Sequence, residues 1–346
     1  MFGAIPKCPP VCADSQQALT GMDCCVPGHM MLLTNKALCV LGLAATGVGA
    51  MYYLLRSFEQ RSHKTAFTGI TLAAEAAALA NSSPGTLSPK HLGPLIHILR
   101  DIDGQQSPDD DLAERILVTL ANSAAFTGSQ NSIREMSGLP VIARYVHSTE
   151  QRLQIQALNA LNNLAMNVEN QKHLQAYVVD VFEAGLEAGA LEDVQLAALR
   201  VLTNVTVTGR IHDSFFTYLP AIWAMLQLPN TVLQVQVLKL LVNLSGDEAM
   251  KAEMLDLEVS SDMLLSLLHE DSSEDVIERF LTLAEHLIRK PSQCDLPPRP
   301  GSLRCFLWAE QSLFLQKVYA FKNHLNPDIS VRVGSILSVL NALLYR

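Results

Sequence analysis

The chain has no run of basic residues. Its 25 Lys and Arg are outnumbered by 34 Asp and Glu, for a formal net charge of -9. Clustered cations that displace counterions supply most of the affinity for nucleic acid, so direct DNA or RNA binding is not expected. Cysteine is equally sparse, with seven in 346 residues. Cys8, Cys12, Cys24 and Cys25 crowd the N-terminus, Cys39 sits in an apolar stretch, and only Cys294 and Cys305 lie beyond. That leaves the body without a disulfide framework and suits a reducing compartment. The N-terminal four, with only His29 nearby, make a poor zinc pattern and fit plain thiols or lipidation sites better; no metal site is expected. A P-loop, a paired-Cys zinc motif, HExxH and Gly-x-Ser-x-Gly are all missing. The ten His are scattered. Neither catalysis nor a cofactor is expected.

What the chain does have is a helix that returns about every forty residues. Four segments align: ILVTLANSAAF from Ile116, ALNALNNLAMN from Ala157, ALRVLTNVTVT from Ala198 and VLKLLVNLSGD from Val237. In each, two Leu stand three apart (Leu117/Leu120, Leu158/Leu161, Leu199/Leu202, Leu238/Leu241) and an Asn follows two residues later. Those residues, Asn122, Asn163, Asn204 and Asn243, are 41, 41 and 39 positions apart. A fixed helical period of this size marks a stacked solenoid of the armadillo or HEAT kind. A fifth unit, ERFLTLAEHLI, has His286 at the Asn position, and Asn341 in the last segment is a weak sixth match.

At 100° per residue the apolar arc of the second unit centres between Leu158 and Leu164, and Asn163 falls about 160° away. The repeated amides are therefore expected on the side facing away from packed neighbours, the concave groove of a solenoid. One turn earlier on that face stand Val118, Asn159, Arg200 and Lys239. An amide both donates and accepts, so a row of them could hold an extended peptide by its backbone. Two readings compete: a partner-binding row of Asn122, Asn159, Asn163, Arg200, Asn204, Lys239 and Asn243, or amides that bond a neighbouring helix and fix the stack.

From Ala37 to Leu55 nineteen residues carry no charge, bounded by Lys36 and Arg56. At 1.5 Å per residue they make roughly 28 Å of helix, close to a bilayer's hydrocarbon thickness. A buried core helix is the competing reading, but such helices rarely lack every charge over five turns. Arg56, Arg61 and Lys64 follow the segment and Lys36 alone precedes it, which orients the C-terminal part to the cytosol. Met30 and Met31 offer alternative starts just before the segment. The triplets Asn204-Val205-Thr206 and Asn243-Leu244-Ser245 agree, since sugars there would cover the repeated face in a lumenal protein. Modest hydrophobicity and basic flanks fit a mitochondrial outer-membrane anchor better than an endoplasmic-reticulum one.

The expected organisation is a Cys-rich leader over 1–35, an anchor over 36–56, a basic flank and Ala-rich spacer over 57–86, and the repeat domain over 87–346. The fold expected is an all-α, right-handed armadillo-like helical solenoid preceded by one N-terminal transmembrane helix. Gly138-Leu139-Pro140 opens the clearest unit and LQIQALNALNNLAMNVENQ follows, resembling the armadillo consensus. Armadillo proteins that carry import signals place Trp one turn before Asn. Here the two Trp, Trp223 and Trp308, lie elsewhere, and Arg115, Arg200 and Lys239 suit an acidic or neutral peptide rather than a basic one.

Over the span from about Ala37 and most of 87–346, the chain resembles the mitochondrial outer-membrane armadillo proteins: the X-linked armadillo-repeat group and its relative, armadillo repeat-containing protein ten. NSAAF at Asn122, ALNALNNLAMNVENQ at Ala157, LTNVTVT at Leu202 and QVQVLKLLVNLSGDEAM at Gln234 carry the likeness. The resemblance implies a non-enzymatic adaptor at the mitochondrial outer membrane, with its repeats in the cytosol. It also implies an influence on mitochondrial distribution, transport or dynamics through motor-adaptor and mitochondrial GTPase machinery. The alternative is a soluble cytosolic or nuclear armadillo scaffold acting in signalling or transcription.

Overall fold

The computed structural model describes residues 92–104, 109–186, 189–208, 212–289, 299–308 and 313–344. The leader, the apolar segment at 37–55, the spacer and the Pro-rich stretch at 291–298 lie outside the described residues. Among the described residues no helix is long and apolar enough to cross a membrane. The only β pairing there is an isolated antiparallel bridge, Glu258 with Ser302.

Sixteen α-helices carry the described chain. The first is α1, Leu92–Asp103, and α2, Asp110–Ser123, is the first Asn-bearing helix. Next come α3 (Thr127–Glu135), α4 (Gly138–Arg144) with a 3-10 turn at Tyr145–His147, and α5 (Gln151–Leu164). The pattern repeats as α6 (Val168–Leu174), α7 (Val178–Leu186) and α8 (Glu192–Val205), with a 3-10 turn at Gln175–Tyr177 between the first two. In the next unit a 3-10 segment, His212–Tyr218, replaces the first helix, followed by α9 (Leu219–Ala224) and α10 (Thr231–Leu244). The last two units are α11 (Glu248–Asp256), α12 (Ser261–Leu267) and α13 (Glu274–Ile288), then α14 (Leu303–Trp308), α15 (Leu313–Ala320) and α16 (Pro327–Leu344).

The long helices α2, α5, α8, α10, α13 and α16 pack on one another in series and form one row. The first four present the Leu pair read from the sequence: Leu117 with Leu120, Leu158 with Leu161, Leu199 with Leu202 and Leu238 with Leu241 are all at most 1% exposed. They belong to a continuous apolar core from Leu92 to Leu340. Neighbouring repeats thus bury what no repeat could bury alone.

Polar side chains start the long helices at fixed points. Asp109 accepts from the Leu112 N–H at 3.0 Å, Asn230 from those of Val232 and Leu233, and Ser273 from that of Val276. Each satisfies a donor that the first helical turn leaves free. The corner between α3 and α4 needs its glycine. A Cβ on Gly138 would lie 2.7 Å from Ile133 Cγ2 and 2.9 Å from its carbonyl, and the preceding Ser137 already sits at φ 56°. That is the physical content of the Gly-x-Pro opening seen in the sequence. A similar close approach fixes the third unit, where a Cβ on Gly185 of α7 would lie 2.4 Å from that of Ala198 on α8.

The final helix departs from expectation. In the first five long helices the repeat position falls thirteen residues past the N-cap, as with Asp109 and Asn122, Glu150 and Asn163, or Ser273 and His286. Asn326 precedes α16, so thirteen further on is Val339, not Asn341, which lies two residues beyond and exposed. The sixth match is out of register.

Candidate partner-binding groove

Three of the four repeated amides bond the neighbouring long helix instead of facing away from it. Asn163 donates from Nδ2 to the Ala121 carbonyl at 2.8 Å, Asn204 to the Asn162 carbonyl at 3.1 Å, and Asn243 to the Thr203 carbonyl at 2.9 Å. Each acceptor belongs to the last turn of the preceding long helix. The last four carbonyls of a helix have no partner within it, so the amide of one repeat closes the open end of the repeat before. Asn204 and Asn243 make second bonds, to Asn162 Oδ1 at 3.0 Å and Thr206 Oγ1 at 3.3 Å. Of the two readings the sequence left open, these bonds are the ones expected of amides that fix the stack: at the C-terminal turn each half-buried side chain meets the adjacent helix end.

A second polar row completes these ends. It lies eight residues past each amide, at Gln130, Gln171, His212 and Lys251, all buried. Gln130 Nε2 donates to the carbonyls of Ala124 and Asn163, and Gln171 Nε2 to those of Ala165 and Asn204. His212 Nε2 lies 3.0 Å from the Thr206 carbonyl and donates to it. Lys251 departs, with Nζ 2.8 Å from Glu248 Oε1. Every long-helix end from α2 to α8 is therefore held from the next repeat and from its own following segment. Sequence reading missed this row, although the Gln130/Gln171 pair keeps the same 41-residue interval as the amides.

His286 occupies the amide position in α13 with different chemistry. Its Nδ1 lies 2.9 Å from Ser245 Oγ, whose own proton goes to the Val242 carbonyl at 2.7 Å, so the imidazole is the donor. Burial lowers its pKa, helped by the charges of Arg332, Arg289 and Lys251 against Glu285, and keeps it neutral. Beside it the buried Glu285 is clasped by Arg289 at 2.7 Å, Arg332 at 2.8 Å and Ser335 Oγ at 2.8 Å, tying α13 to α16. Burial raises the Glu285 pKa, but the Arg332 and Ser335 hydrogen bonds and the two guanidinium charges outweigh it and hold the carboxyl low.

The remaining candidates are arranged differently. Asn122 is exposed, and its side chain bonds no described residue. Arg200 is exposed, Asn159 and Lys239 are half-buried, and none of the three side chains has a hydrogen-bond or ion-pair partner among the described residues. Arg200 and Lys239 stand one turn before Asn204 and Asn243 on successive helices. One turn earlier again, Ile155, Leu196 and Val235 lie partly buried against the core and give the row an apolar floor. The structure thus separates the seven candidates into three stack amides (Asn163, Asn204, Asn243) and four with uncommitted side chains (Asn122, Asn159, Arg200, Lys239).

One more cluster went unread in the sequence. His147, Asp180 and Glu183 bring their ligating atoms within 4.8 Å of one another. They match no metal motif because 33 residues separate the His from the Asp.

An Armadillo-like family model matches residues 87–293. The chain belongs to the armadillo-like family. Among solved structures it is similar to a designed armadillo repeat protein, at 15% identity over 72% of this chain and 100% of that one, with a TM-score of 0.58. A second designed armadillo repeat protein, in complex with the peptide (KR)4, matches at 16% identity over 72% of this chain and 99% of that one, TM-score 0.58. Computationally designed armadillo repeat proteins for modular peptide recognition match at 16% identity over 72% and 100%, TM-score 0.57. At such identities the likeness is one of fold, and it agrees with the armadillo stacking seen here.

Proposed function

We propose that this armadillo protein is a non-catalytic adaptor that binds extended, acidic or neutral segments of partner proteins along the α5–α8–α10 face. The observation that carries the reading is the pair Arg200 and Lys239. They are two cations on successive repeats, lacking an acidic partner among the described residues, above an apolar floor of Ile155, Leu196 and Val235. An unneutralised cation pair attracts carboxylates and repels basic segments. The designed protein whose named ligand is (KR)4 supports peptide capture on this fold, and the charge here predicts a ligand of the opposite sign. Asn159 and Asn122 supply amides whose hydrogen-bonding groups are uncommitted, while Asn163, Asn204 and Asn243 keep the surface rigid.

The site of action we propose is the cytosolic face of the mitochondrial outer membrane, with Ala37–Leu55 as the anchor and motor-adaptor and mitochondrial GTPase machinery as partners. This part of the reading rests on the uncharged nineteen-residue segment, its basic C-terminal flank and the family resemblance.

Proximity labelling in cells, comparing the wild type with Arg200→Glu/Lys239→Glu, tests the groove. Loss of a defined set of acidic partners with unchanged thermal stability is expected; an identical labelled set would refute it. Fractionation with protease protection tests the address. The repeats should be digested on intact mitochondria; a protected repeat domain would overturn the cytosolic orientation, and a wholly soluble one would remove the anchor and favour a soluble scaffold.

A further inference from the structure

We infer that His147, Asp180 and Glu183 form a divalent-cation site that clips the second repeat to the third. His147 ends the 3-10 turn after α4, and this turn packs against α7. Asp180 and Glu183 stand three apart on α7, so their carboxylates share one face. His147 Nε2 lies 3.2 Å from Asp180 Oδ1, about the separation of two ligands on one tetrahedral ion with bonds near 2.0–2.2 Å. The third ligand atom is within 4.8 Å of both.

Electrostatics point the same way. Asp180 is paired with His147 alone and Glu183 with nothing, so among the described residues no Lys or Arg neutralises either carboxylate. Two carboxylates around one imidazole give a site that no Lys or Arg among the described residues neutralises, and a cation entering it replaces only the His147–Asp180 contact. The donor set decides the class of ion. An imidazole with two carboxylates favours zinc and its neighbours over magnesium or calcium, which take oxygen ligands alone.

The setting gives the ion a role. His147 and Glu183 line a cavity of about 530 Å³ with Gln154 and with Tyr218, whose ring stacks on Phe182 at 4.1 Å. Three protein ligands leave a coordination position for water or for a carboxylate or imidazole of a partner. Because its ligands come from two repeats, the ion fixes the angle between them. The inference is independent of the proposed groove, which lies on the long helices.

The test uses the full chain titrated with cobalt(II) as a spectroscopic substitute for zinc. Cys8, Cys12, Cys24 and Cys25 could bind metal too, but thiolate ligation gives a near-ultraviolet charge-transfer band that nitrogen–oxygen sites lack. The wild type should show a visible band that saturates without a matching near-ultraviolet rise. His147→Ala and Asp180→Asn/Glu183→Gln should each weaken that component at least tenfold and leave any thiolate band alone. Zinc should raise the melting temperature of the wild type and of neither variant. The Asn/Gln pair keeps side-chain shape, so it decides the matter if His147→Ala perturbs folding. A nitrogen–oxygen component that persists unchanged in both variants, or is missing from the wild type, would overturn the site.

Discussion

Asn204 reaches across the repeat boundary and bonds Asn162 twice, from Nδ2 to its backbone carbonyl at 3.1 Å and to its Oδ1 at 3.0 Å. A residue that sequence alone offers as a peptide clamp is thereby committed to the neighbouring helix. Its counterparts Asn163 and Asn243 do the same one repeat either side. Asn204→Ala should lower stability by roughly 1–2 kcal/mol, since it deletes a bond and leaves a carbonyl at a helix end unpaired. Thermal unfolding measures this, and an unchanged midpoint would speak for a ligand-facing amide.

Gln171 carries more of the junction. Its side chain is buried and its Nε2 donates to both the Ala165 and Asn204 carbonyls, while its Oε1 accepts from Thr208 Oγ1 at 2.9 Å. Gln171→Ala removes a donor from two carbonyls and opens a void, so a loss of about 2–4 kcal/mol is expected. Hydrogen exchange should locate the loosening at the ends of α5 and α8, where a global effect would instead raise exchange everywhere.

How much of this could be read beforehand follows from what a period can encode. The Leu pairs and the interval between Asn122, Asn163, Asn204 and Asn243 gave the helices, their order and the core face, because burial imposes that spacing. The partner of each Asn stayed hidden. A projection on one helix contains no neighbour, and only the stack places Ala121, Asn162 and Thr203 carbonyls opposite the amides. Gln130 and Gln171 were legible as a second periodic pair but sit outside the long helices, where no apolar pattern draws attention to them. His147, Asp180 and Glu183 are joined by tertiary packing alone.

Close packing makes Gly185 intolerant of any side chain. With its missing Cβ position 2.4 Å from Ala198 Cβ, Gly185→Val should force α7 from α8 and cost roughly 1–3 kcal/mol or more. Gly185→Ala should cost less, and Ala198→Gly should partly rescue it in a double-mutant cycle.

The C-terminal clasp predicts an acid limit. Glu285 has its folded pKa held below the unfolded value of 4.5 by Arg332, Ser335 and Arg289 despite burial. Its contribution is fully present above that value and is lost as pH falls through the lower, folded pKa. His286, lowered from 6.5 by burial, acts in the same direction and favours the folded state above that pH. Denaturant midpoints should therefore fall as pH drops from 7 toward 3, and Glu285→Gln should start lower and flatten the acid part of the profile.

The central claim is a division of labour: amides hold the stack and the cations face the partner. Equilibrium urea unfolding of Asn163→Ala/Asn204→Ala/Asn243→Ala beside Arg200→Ala/Lys239→Ala tests it most directly. The amide variant should lose roughly 3 kcal/mol, about 1 for each amide replaced, while the cation variant stays within about 0.5 kcal/mol of the wild type. An amide variant that unfolds at the wild-type denaturant concentration would contradict the account and return those three Asn to the ligand.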